Sequence, residues 1–456
     1  MKLFISLVVC LLSVSFVVCG ESIYKAAVVC TKDFNDPAAI NEAAKLNVDI
    51  LVLPSPRLDS HFNGLDNYDE ITKSIASAAK QAGVYVVVHL MEKTRCQNRD
   101  ELVRSNLVFD RNGAIVAVYR KPINIEANCS MSKAIPTFAT DFGTTFVLLM
   151  EDDLVLRNPE EFRAKNFIVA GPLDTEIPFL NGREFASSWA FVTGANLVTS
   201  SGIYAGRAGL VTGSGKMVVA DLKKNGRPDQ HASPIITPTK LNSLPGEDLG
   251  QYIIRPLNLE ASIRGYSETV CHGQFCCDFY VKTSYIGSQN EVSYGLAVFD
   301  GVRRFARDHH IGTQSCSIFA CAGLYKRSCI LGPNNSTNTH FEKITISGSF
   351  TRTNAAQFPT VSSTSDVQKI TFDTNTVKDT NKVTINVENG RNLIRFGIFG
   401  RVYSKDFDRK GNSTNNAMEN HYDYFFTEDF QEFFDYLWIR IRIMIFIVSI
   451  YVLEML

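Results

Sequence analysis

Short apolar runs alternate with amphipathic segments along the first half of the chain, from Tyr24 to about Leu222. Apolar runs of this length predict strands, and apolar residues spaced three and four apart predict helices. The first predicted elements are a strand at 24–30, a helix at 36–47, a strand at 49–54, a helix at 70–83 and a strand at 84–90. Two further runs flank Arg111, Asn112 and Gly113 and predict a hairpin. Because the strands are apolar at successive positions, both sheet faces should be covered, which indicates an α/β fold.

The periodicity stops between Asn225 and Gln251, where four prolines make a helix or a central strand unfavourable. Beyond this stretch, residues 343–352 and 382–389 alternate polar and apolar positions, which predicts a mainly β region. The predicted organisation is a signal peptide at 1–20, a first domain at 21–224, a Pro-rich linker at 225–250, a β domain at 251–410, and a polar stretch with an apolar tail at 411–456.

Composition and charge narrow the class of protein. A chain of 456 residues is longer than a single hydrophobic core normally accommodates, which favours two domains. The hydrophobic content of 45% and charged content of 20% are typical of a folded globular protein. A net charge of −1 without basic runs argues against nucleic acid as a partner.

The amino terminus predicts export. Lys2 precedes an apolar stretch that ends in small residues near Gly20, which is typical of a secretory signal peptide, with a buried first strand or an uncleaved anchor as the alternative. Asn-x-Ser/Thr tripeptides, which are acceptors for N-glycosylation, agree with export. They occur at Asn128, Asn334, Asn335 and Asn412.

In an oxidising compartment the cysteines that remain after leader removal are expected to pair. Cys30 lies inside an apolar run and is the expected unpaired thiol, since nine cysteines remain of 11. The disulfide candidates are Cys96, Cys129, Cys271, Cys276, Cys277, Cys316, Cys321 and Cys329. We expect Cys96 to pair with Cys129, and the adjacent Cys276 and Cys277 to pair with separate partners in the segment 316–329.

No metal and no cofactor are predicted. His272, His309 and His310 do not combine with the cysteines in a spacing that gives a tetrahedral set. The apolar tail, 437–456, is interrupted by Arg440 and Arg442 and is short for a bilayer span. A removable glycolipid-anchor signal, which would attach the chain to a membrane, competes with a docked helix or an irregular terminus.

Four segments of the first half, in order, resemble the nitrilase superfamily. They are DILVLP at 49–54 followed by Ser55, AVYRKPIN at 117–124, FGTTFVLLMEDDL at 142–154, and the Trp-containing segment at 185–209. In the second half, the segments at 270–282, 294–301 and 341–350 resemble the extra C-terminal domain of the vanin and biotinidase branch. The resemblance implies a four-layer α-β-β-α sandwich with an appended, mainly β, disulfide-rich domain. It also implies an ancestral activity on amide bonds of pantetheine or biotin type.

Amide hydrolysis in this family needs a thiolate nucleophile, a carboxylate base and an ammonium that stabilises the oxyanion. The resemblance places the ammonium at Lys121, which is retained. It places the glutamate position at Ser55, whose hydroxyl is no base near neutrality, and the cysteine position at Glu151. The sequence therefore predicts that the family's amidase chemistry is lost.

Charge balance suggests that a carboxylate at 151 replaces the lost partner of Lys121, so we expect a Lys121–Glu151 ion pair or hydrogen bond at the floor of the old pocket. The alternative is that Lys121 is a solvated lysine and that Glu151, Asp152 and Asp153 are a surface acidic run.

Three functions compete at this point. The first is a secreted or surface-anchored pseudoenzyme that keeps a pocket for an amide-type small molecule. The second is an active or weakly active amidohydrolase on linear amides, using Lys121 and a water activated by Glu151. The third is a structural glycoprotein that uses only its outer surface. The oligomeric state is not predicted.

Overall fold

The computed structural model describes the segments 22–29, 36–53, 68–96, 99–122, 132, 134–173, 182–200, 202–211, 213, 216–227, 249–285, 293–305, 309–321, 339–363, 370–391 and 393–408. The chain forms two compact units, Met1–Asp406 and Phe407–Leu456. Of the second unit, the described part is one short strand, Phe407–Asp408. The strands and helices of the first unit are numbered in chain order.

The first sheet has six strands in the order β12-β1-β2-β3-β4-β5. Their bounds are Ile23–Val29 (β1), Ile50–Val52 (β2), Tyr85–Cys96 (β3), Arg99–Phe109 (β4), Ile115–Pro122 (β5) and Met217–Lys223 (β12). Two helices, Asp36–Lys45 (α1) and Tyr68–Ala82 (α2), connect β1, β2 and β3, which are parallel. The predicted hairpin joins β4 to β5, and Gly113 has the positive φ of 77° that favours glycine.

The second sheet also has six strands, in the order β11-β10-β9-β8-β7-β6. Their bounds are Thr137–Ala139 (β6), Thr145–Leu149 (β7), Asn166–Val169 (β8), Asn196–Thr199 (β9), Gly202–Ala205 (β10) and Leu210–Val211 (β11). A short helix, Asp153–Leu156 (α3), follows β7, and a longer one, Gly182–Thr193 (α4), precedes β9.

The two sheets pack face to face with helices outside them. Val28 and Val52 of the first sheet share a buried core with Phe146 and Ile168 of the second. On the outer face of the first sheet, α1 and α2 bury Ile40 and Ile75 against it. On the outer face of the second, α4 buries Phe185 and Trp189. The four-layer α-β-β-α sandwich implied by the family resemblance is confirmed.

The C-terminal half forms a β-sandwich of two antiparallel sheets, ordered β13-β16-β17-β22-β19 and β14-β15-β18-β21-β20. The strands are Ile253–Pro256 (β13), Tyr266–His272 (β14), Phe275–Tyr285 (β15), Ser293–Phe305 (β16), His309–Cys321 (β17), Thr339–Thr351 (β18), Ala355–Ser363 (β19), Ile370–Val377 (β20), Thr380–Arg391 (β21) and Leu393–Val402 (β22). A short helix, Leu259–Ser262 (α5), precedes β14. The mainly β character predicted for this half is confirmed.

Helix α4 is shared by the two halves. Its Phe185 packs on Phe358 of β19, with ring centroids 5.0 Å apart. Ser188 of the same helix donates to the carbonyl of Pro359 at 2.6 Å. A buried ion pair joins Glu184 to Arg395 of β22 at 3.8 Å. The first half therefore packs on the β-sandwich through apolar, hydrogen-bonded and ionic contacts.

The disulfides of the β-sandwich partly differ from expectation. Cys277 pairs with Cys316, as predicted, and Cys321 is also disulfide-bonded. The prediction for Cys276 is wrong, since it pairs with Cys271. The physical reason is the hairpin register, which places Cys271 and Cys276 directly opposite each other on β14 and β15.

Several expectations fall outside the described residues. They are the leader, Cys30, Ser55, the Cys96–Cys129 pair, Cys329, the tail after residue 408, and the glycosylation acceptors Asn128, Asn334, Asn335 and Asn412. Within the described part of the chain, none of the helices combines the length and hydropathy needed to span a bilayer.

Candidate functional site

The candidate site lies where β7 of the second sheet ends opposite β4 and β5 of the first. Met150, Glu151 and Asp152 form the turn between β7 and α3, and this turn is called the elbow below. Asn106 of β4 fixes it by donating from Nδ2 to the carbonyl of Leu149 at 2.9 Å. The structure thus brings together two of the three predicted site residues, Lys121 and Glu151, in one region.

Lys121 pairs with the two aspartates that follow Glu151. Its Nζ lies 3.1 Å from Oδ1 of Asp152 and 2.5 Å from Oδ1 of Asp153. The Asp153 side chain is 1% exposed, and its other oxygen accepts the backbone N–H of Met150 at 2.8 Å. The predicted Lys121–Glu151 ion pair is therefore wrong, and the solvated-lysine alternative is not what the structure shows either.

Glu151 pairs instead with Arg104, which the sequence argument missed. Nη1 of Arg104 donates to Oε1 of Glu151, and Nη2 lies 3.4 Å from Oδ2 of Asp152. Arg104 is the cross-strand neighbour of Lys121 on β4 and β5, and its two-pronged guanidinium can bridge successive carboxylates. Counting the hairpin register outward from Gly113 would have placed Arg104 opposite Arg120, because the pairing with Lys121 depends on a β-bulge between Val108 and Phe109 that shifts the register by one residue.

The site holds three carboxylates and two cations, with Asp152 shared between Arg104 and Lys121. Burial opposes ionisation of Asp152, but Lys121 and Arg104 outweigh it and hold its pKa below the ordinary value. Burial, with Asp152 nearby, raises the pKa of Asp153 despite Lys121. Burial and the hydrogen-bonded Asp153 raise the pKa of Tyr119, whose ring lies 5.6 Å from Nζ of Lys121. Asp153, whose side chain is 1% exposed, is therefore more easily protonated than Asp152.

His89 of β3 borders the other side of Glu151. Its Nδ1 lies 2.7 Å from Oδ1 of Asn106, and the ring is buried. Burial lowers the pKa of His89, although Glu151 and Asn106 act in the opposite direction. His89 is therefore neutral in the folded protein at neutral pH.

This pKa shift predicts a loss of stability in mild acid. A histidine whose pKa falls on folding binds its proton more readily in the unfolded chain, so its contribution is intact above the ordinary value of 6.5 and is lost below it. We expect the free energy of unfolding to fall between pH 7 and pH 5, and His89→Gln to flatten that slope. Urea denaturation at several pH values measures it, and an identical slope in both proteins would contradict the expectation.

Gly171, just after β8, leaves the room that the Glu151 side chain occupies. A Cβ at this position would lie 2.2 Å from Oε2 of Glu151 and 3.4 Å from Nδ1 of His89. Gly171→Ala is therefore expected to cost about 1–3 kcal/mol of stability through overpacking. In a Glu151→Cys background, whose shorter side chain avoids the contact, the same change should cost less. Equal costs in both backgrounds, measured by denaturation, would exclude this steric explanation.

Arg120, the sequence neighbour of Lys121, belongs to a separate ion pair. Its Nε lies 2.6 Å from Oε2 of Glu92, which also accepts from Ser105 Oγ at 2.7 Å. Among the residues whose positions are described, no group of three His, Cys, Asp or Glu side chains is arranged to hold a metal. His272 serves as a hydrogen-bond acceptor for the backbone N–H of Asp300 at 2.9 Å.

Two family models match the chain. The carbon-nitrogen hydrolase model matches residues 37–155, which include Lys121 and the elbow, and the vanin C-terminal domain model matches residues 247–406. The two matches together span more than half of the chain.

Similar curated proteins come from fly and human. Vanin-like protein 3 of Drosophila melanogaster is 29% identical over 61% of this chain and 62% of its own length. Vanin-like protein 1 of the same species is 27% identical over 56% and 55%. Pantetheine hydrolase VNN2 of Homo sapiens is 25% identical over 77% and 73%. The aligned part of the chain thus spans less than two thirds of these Drosophila relatives.

Among solved structures, an amidase from Nesterenkonia sp. is 16% identical, covering 46% of this chain and 94% of that chain at a TM-score of 0.34. The two family models, matched in order to the α-β-β-α half and to the β-sandwich, identify the family. The chain belongs to the vanin branch of the carbon-nitrogen hydrolase superfamily.

Proposed function

We propose that this chain is a secreted or cell-surface vanin-like glycoprotein that has lost amidase chemistry and acts by binding. The observation that carries the proposal is the elbow. A carboxylate, Glu151, stands where the family resemblance places the nucleophilic cysteine, and it is paired with Arg104. A carboxylate that attacked an amide would form an anhydride more reactive than the substrate, so covalent catalysis by this route is disfavoured.

The state of Lys121 supports the same conclusion. An oxyanion donor must present its N–H groups to the charge that develops in the transition state. In this structure the ammonium of Lys121 is engaged by Asp152 and Asp153. Two of its three N–H donors are therefore taken, and two carboxylates already offset its charge, so it would stabilise an oxyanion less than an unpaired ammonium would.

The pocket ligand that we propose is a small amide of the pantetheine or biotin type, bound without cleavage. Export, glycosylation and attachment through the tail are proposed on the sequence features alone. The second candidate, a weak hydrolase, is favoured by one observation. Oε2 of Glu151 is buried and has no hydrogen-bond partner among the described residues, so it could accept a proton from a water molecule.

Incubating the purified full chain with pantetheine and with biotin amides tests the proposal. We expect no hydrolysis above background, since removal of a nucleophile alone lowers turnover by about 10⁴–10⁶. A rise in melting temperature with these amides, without turnover, would support binding. Turnover that disappears in both Lys121→Ala and Glu151→Gln would establish the second candidate instead.

The double variant Ser55→Glu/Glu151→Cys tests whether the residues at positions 55 and 151 account for the proposed loss of amide hydrolysis. Recovery of amide hydrolysis, with Glu151→Cys alone as the matched control, would show that the rest of the machinery survives. We expect recovery to increase further when Asp152 is also replaced by asparagine, because Lys121 then loses one of its two competing carboxylates.

A further inference from the structure

The hairpin of β14 and β15 carries a disulfide beside its turn, next to a second disulfide in the core. Cys271 and Cys276 are both exposed, whereas Cys277 and Cys316 are each 0% exposed. Thiol–disulfide exchange needs a thiolate to approach one sulfur atom of the bond, so exposure decides which bond can react in the folded protein. Among these four cysteines, only the Cys271–Cys276 bond is accessible.

The two bonds also close loops of very different length. Cys271 and Cys276 are separated by 5 positions in sequence, and Cys277 and Cys316 by 39. A disulfide that closes a long loop restricts the unfolded chain more than one that closes a short loop. Opening the Cys271–Cys276 bond therefore removes the smaller share of the stabilisation that these disulfides provide.

Other contacts hold the hairpin in place. Strands β14 and β15 pair continuously from Tyr266–Val281 to His272–Phe275. Phe275 is buried, and its ring centroid lies 5.1 Å from that of Phe350. His272 accepts the N–H of Asp300, and its ring stacks at 5.5 Å on Phe299. The exposed bond can therefore open while the hairpin stays docked.

We propose that Cys271–Cys276 is a reversible exchange site for low-molecular-weight thiols such as glutathione or cysteine, while Cys277–Cys316 stays closed. The thiolate of the small molecule attacks one sulfur of the bond. The bond between the two cysteines breaks as a mixed disulfide forms, and the displaced cysteine leaves as a thiolate that takes a proton from water. A second thiolate can then release the first as a symmetric disulfide and leave both cysteines reduced.

Differential alkylation of the folded full chain tests this. The protein is incubated with increasing reduced glutathione and trapped with N-ethylmaleimide. It is then cleaved after Phe275 with chymotrypsin, which separates Cys271 from Cys276 and Cys277. Tandem mass spectrometry distinguishes the latter two. We expect Cys271 and Cys276 to be modified at a glutathione concentration at least about tenfold lower than Cys277 and Cys316. Modification of all four at one concentration, or of the buried pair first, would overturn the proposal.

Two variants separate exchange from folding. Cys276→Ser leaves Cys271 as a single exposed thiol, and oxidised glutathione should convert it to one mixed disulfide. The matched control, Cys271→Ser/Cys276→Ser, should acquire no adduct in this hairpin and should melt within about 4 °C of the unmodified protein. A much larger drop in melting temperature would show that the bond is a structural requirement, and the absence of an adduct on Cys276→Ser would show that the site is inaccessible to thiols.

Discussion

Replacing Arg104 by methionine is expected to lower the free energy of unfolding by about 3–5 kcal/mol, because it leaves a buried charge without its partner. Glu151 is 4% exposed, and Arg104 is its ion-pair partner among the described residues. Asp152 would keep only Lys121. Chemical denaturation followed by far-ultraviolet circular dichroism measures the loss.

A double-mutant cycle identifies the cause. Arg104→Met/Glu151→Leu removes both charges, so it should be more stable than Arg104→Met alone. The matched control is Arg157→Met, since Arg157 and Glu161 form an ion pair at 3.9 Å whose side chains are both about half exposed. That control should cost less than about 1 kcal/mol. If Arg104→Met were as mild as Arg157→Met, the charge network at the elbow would not be buried in solution.

Arg401→Met is expected to have a similar effect, about 3–5 kcal/mol, although it lies in the β-sandwich. The side chain is 0% exposed, and its Nε donates to the carbonyl of Val155 in α3 at 3.0 Å. Its Nη2 pairs with Asp406 at 2.6 Å, and its Nη1 donates to the carbonyl of Gly312. The guanidinium also lies 4.6 Å from the ring centroid of Tyr403.

A conservative variant distinguishes the contribution of the charge at position 401 from that of the planar guanidinium. Arg401→Lys keeps the charge but has no planar fork to reach Val155, Gly312 and Asp406 together, so it should recover only part of the loss. Arg255→Met, at an exposed position on β13, is the control and should change stability by less than about 0.5 kcal/mol. Full recovery in Arg401→Lys would show that a point charge suffices there.

The sequence pattern predicted the secondary-structure elements more successfully than it predicted which side chains pair with each other. The strands, the helices and the hairpin at Arg111–Gly113 follow from apolar spacing and turn residues, which act locally. The four-layer arrangement came from the family resemblance, since periodicity alone does not say how sheets stack. The residues at the positions that the resemblance assigns to catalysis, Ser55, Lys121 and Glu151, are read from the sequence, and their assignment to those positions stays a prediction.

The predicted side-chain partners were wrong where the pairing depends on the register of two neighbouring strands. Lys121 was expected to meet Glu151, but its cross-strand neighbour Arg104 pairs with that carboxylate. Cys276 was expected to reach a distant cysteine, but the hairpin sets it opposite Cys271. In both cases the deciding fact is which residue lies across a ladder, and a shift of one residue would reverse it.

Helix α4 covers the outer face of the second sheet and also packs against the β-sandwich. Each half therefore has an apolar face that only the other half covers. Cutting the chain near residue 250 would expose the rings of Phe185 and Phe358 to water and separate Glu184 from Arg395. A gene rearrangement that separated the hydrolase-like half from the β-sandwich would therefore leave this apolar face exposed to solvent and prone to aggregation. Retention of the β-sandwich next to the hydrolase-like half is then understandable as a requirement of solubility.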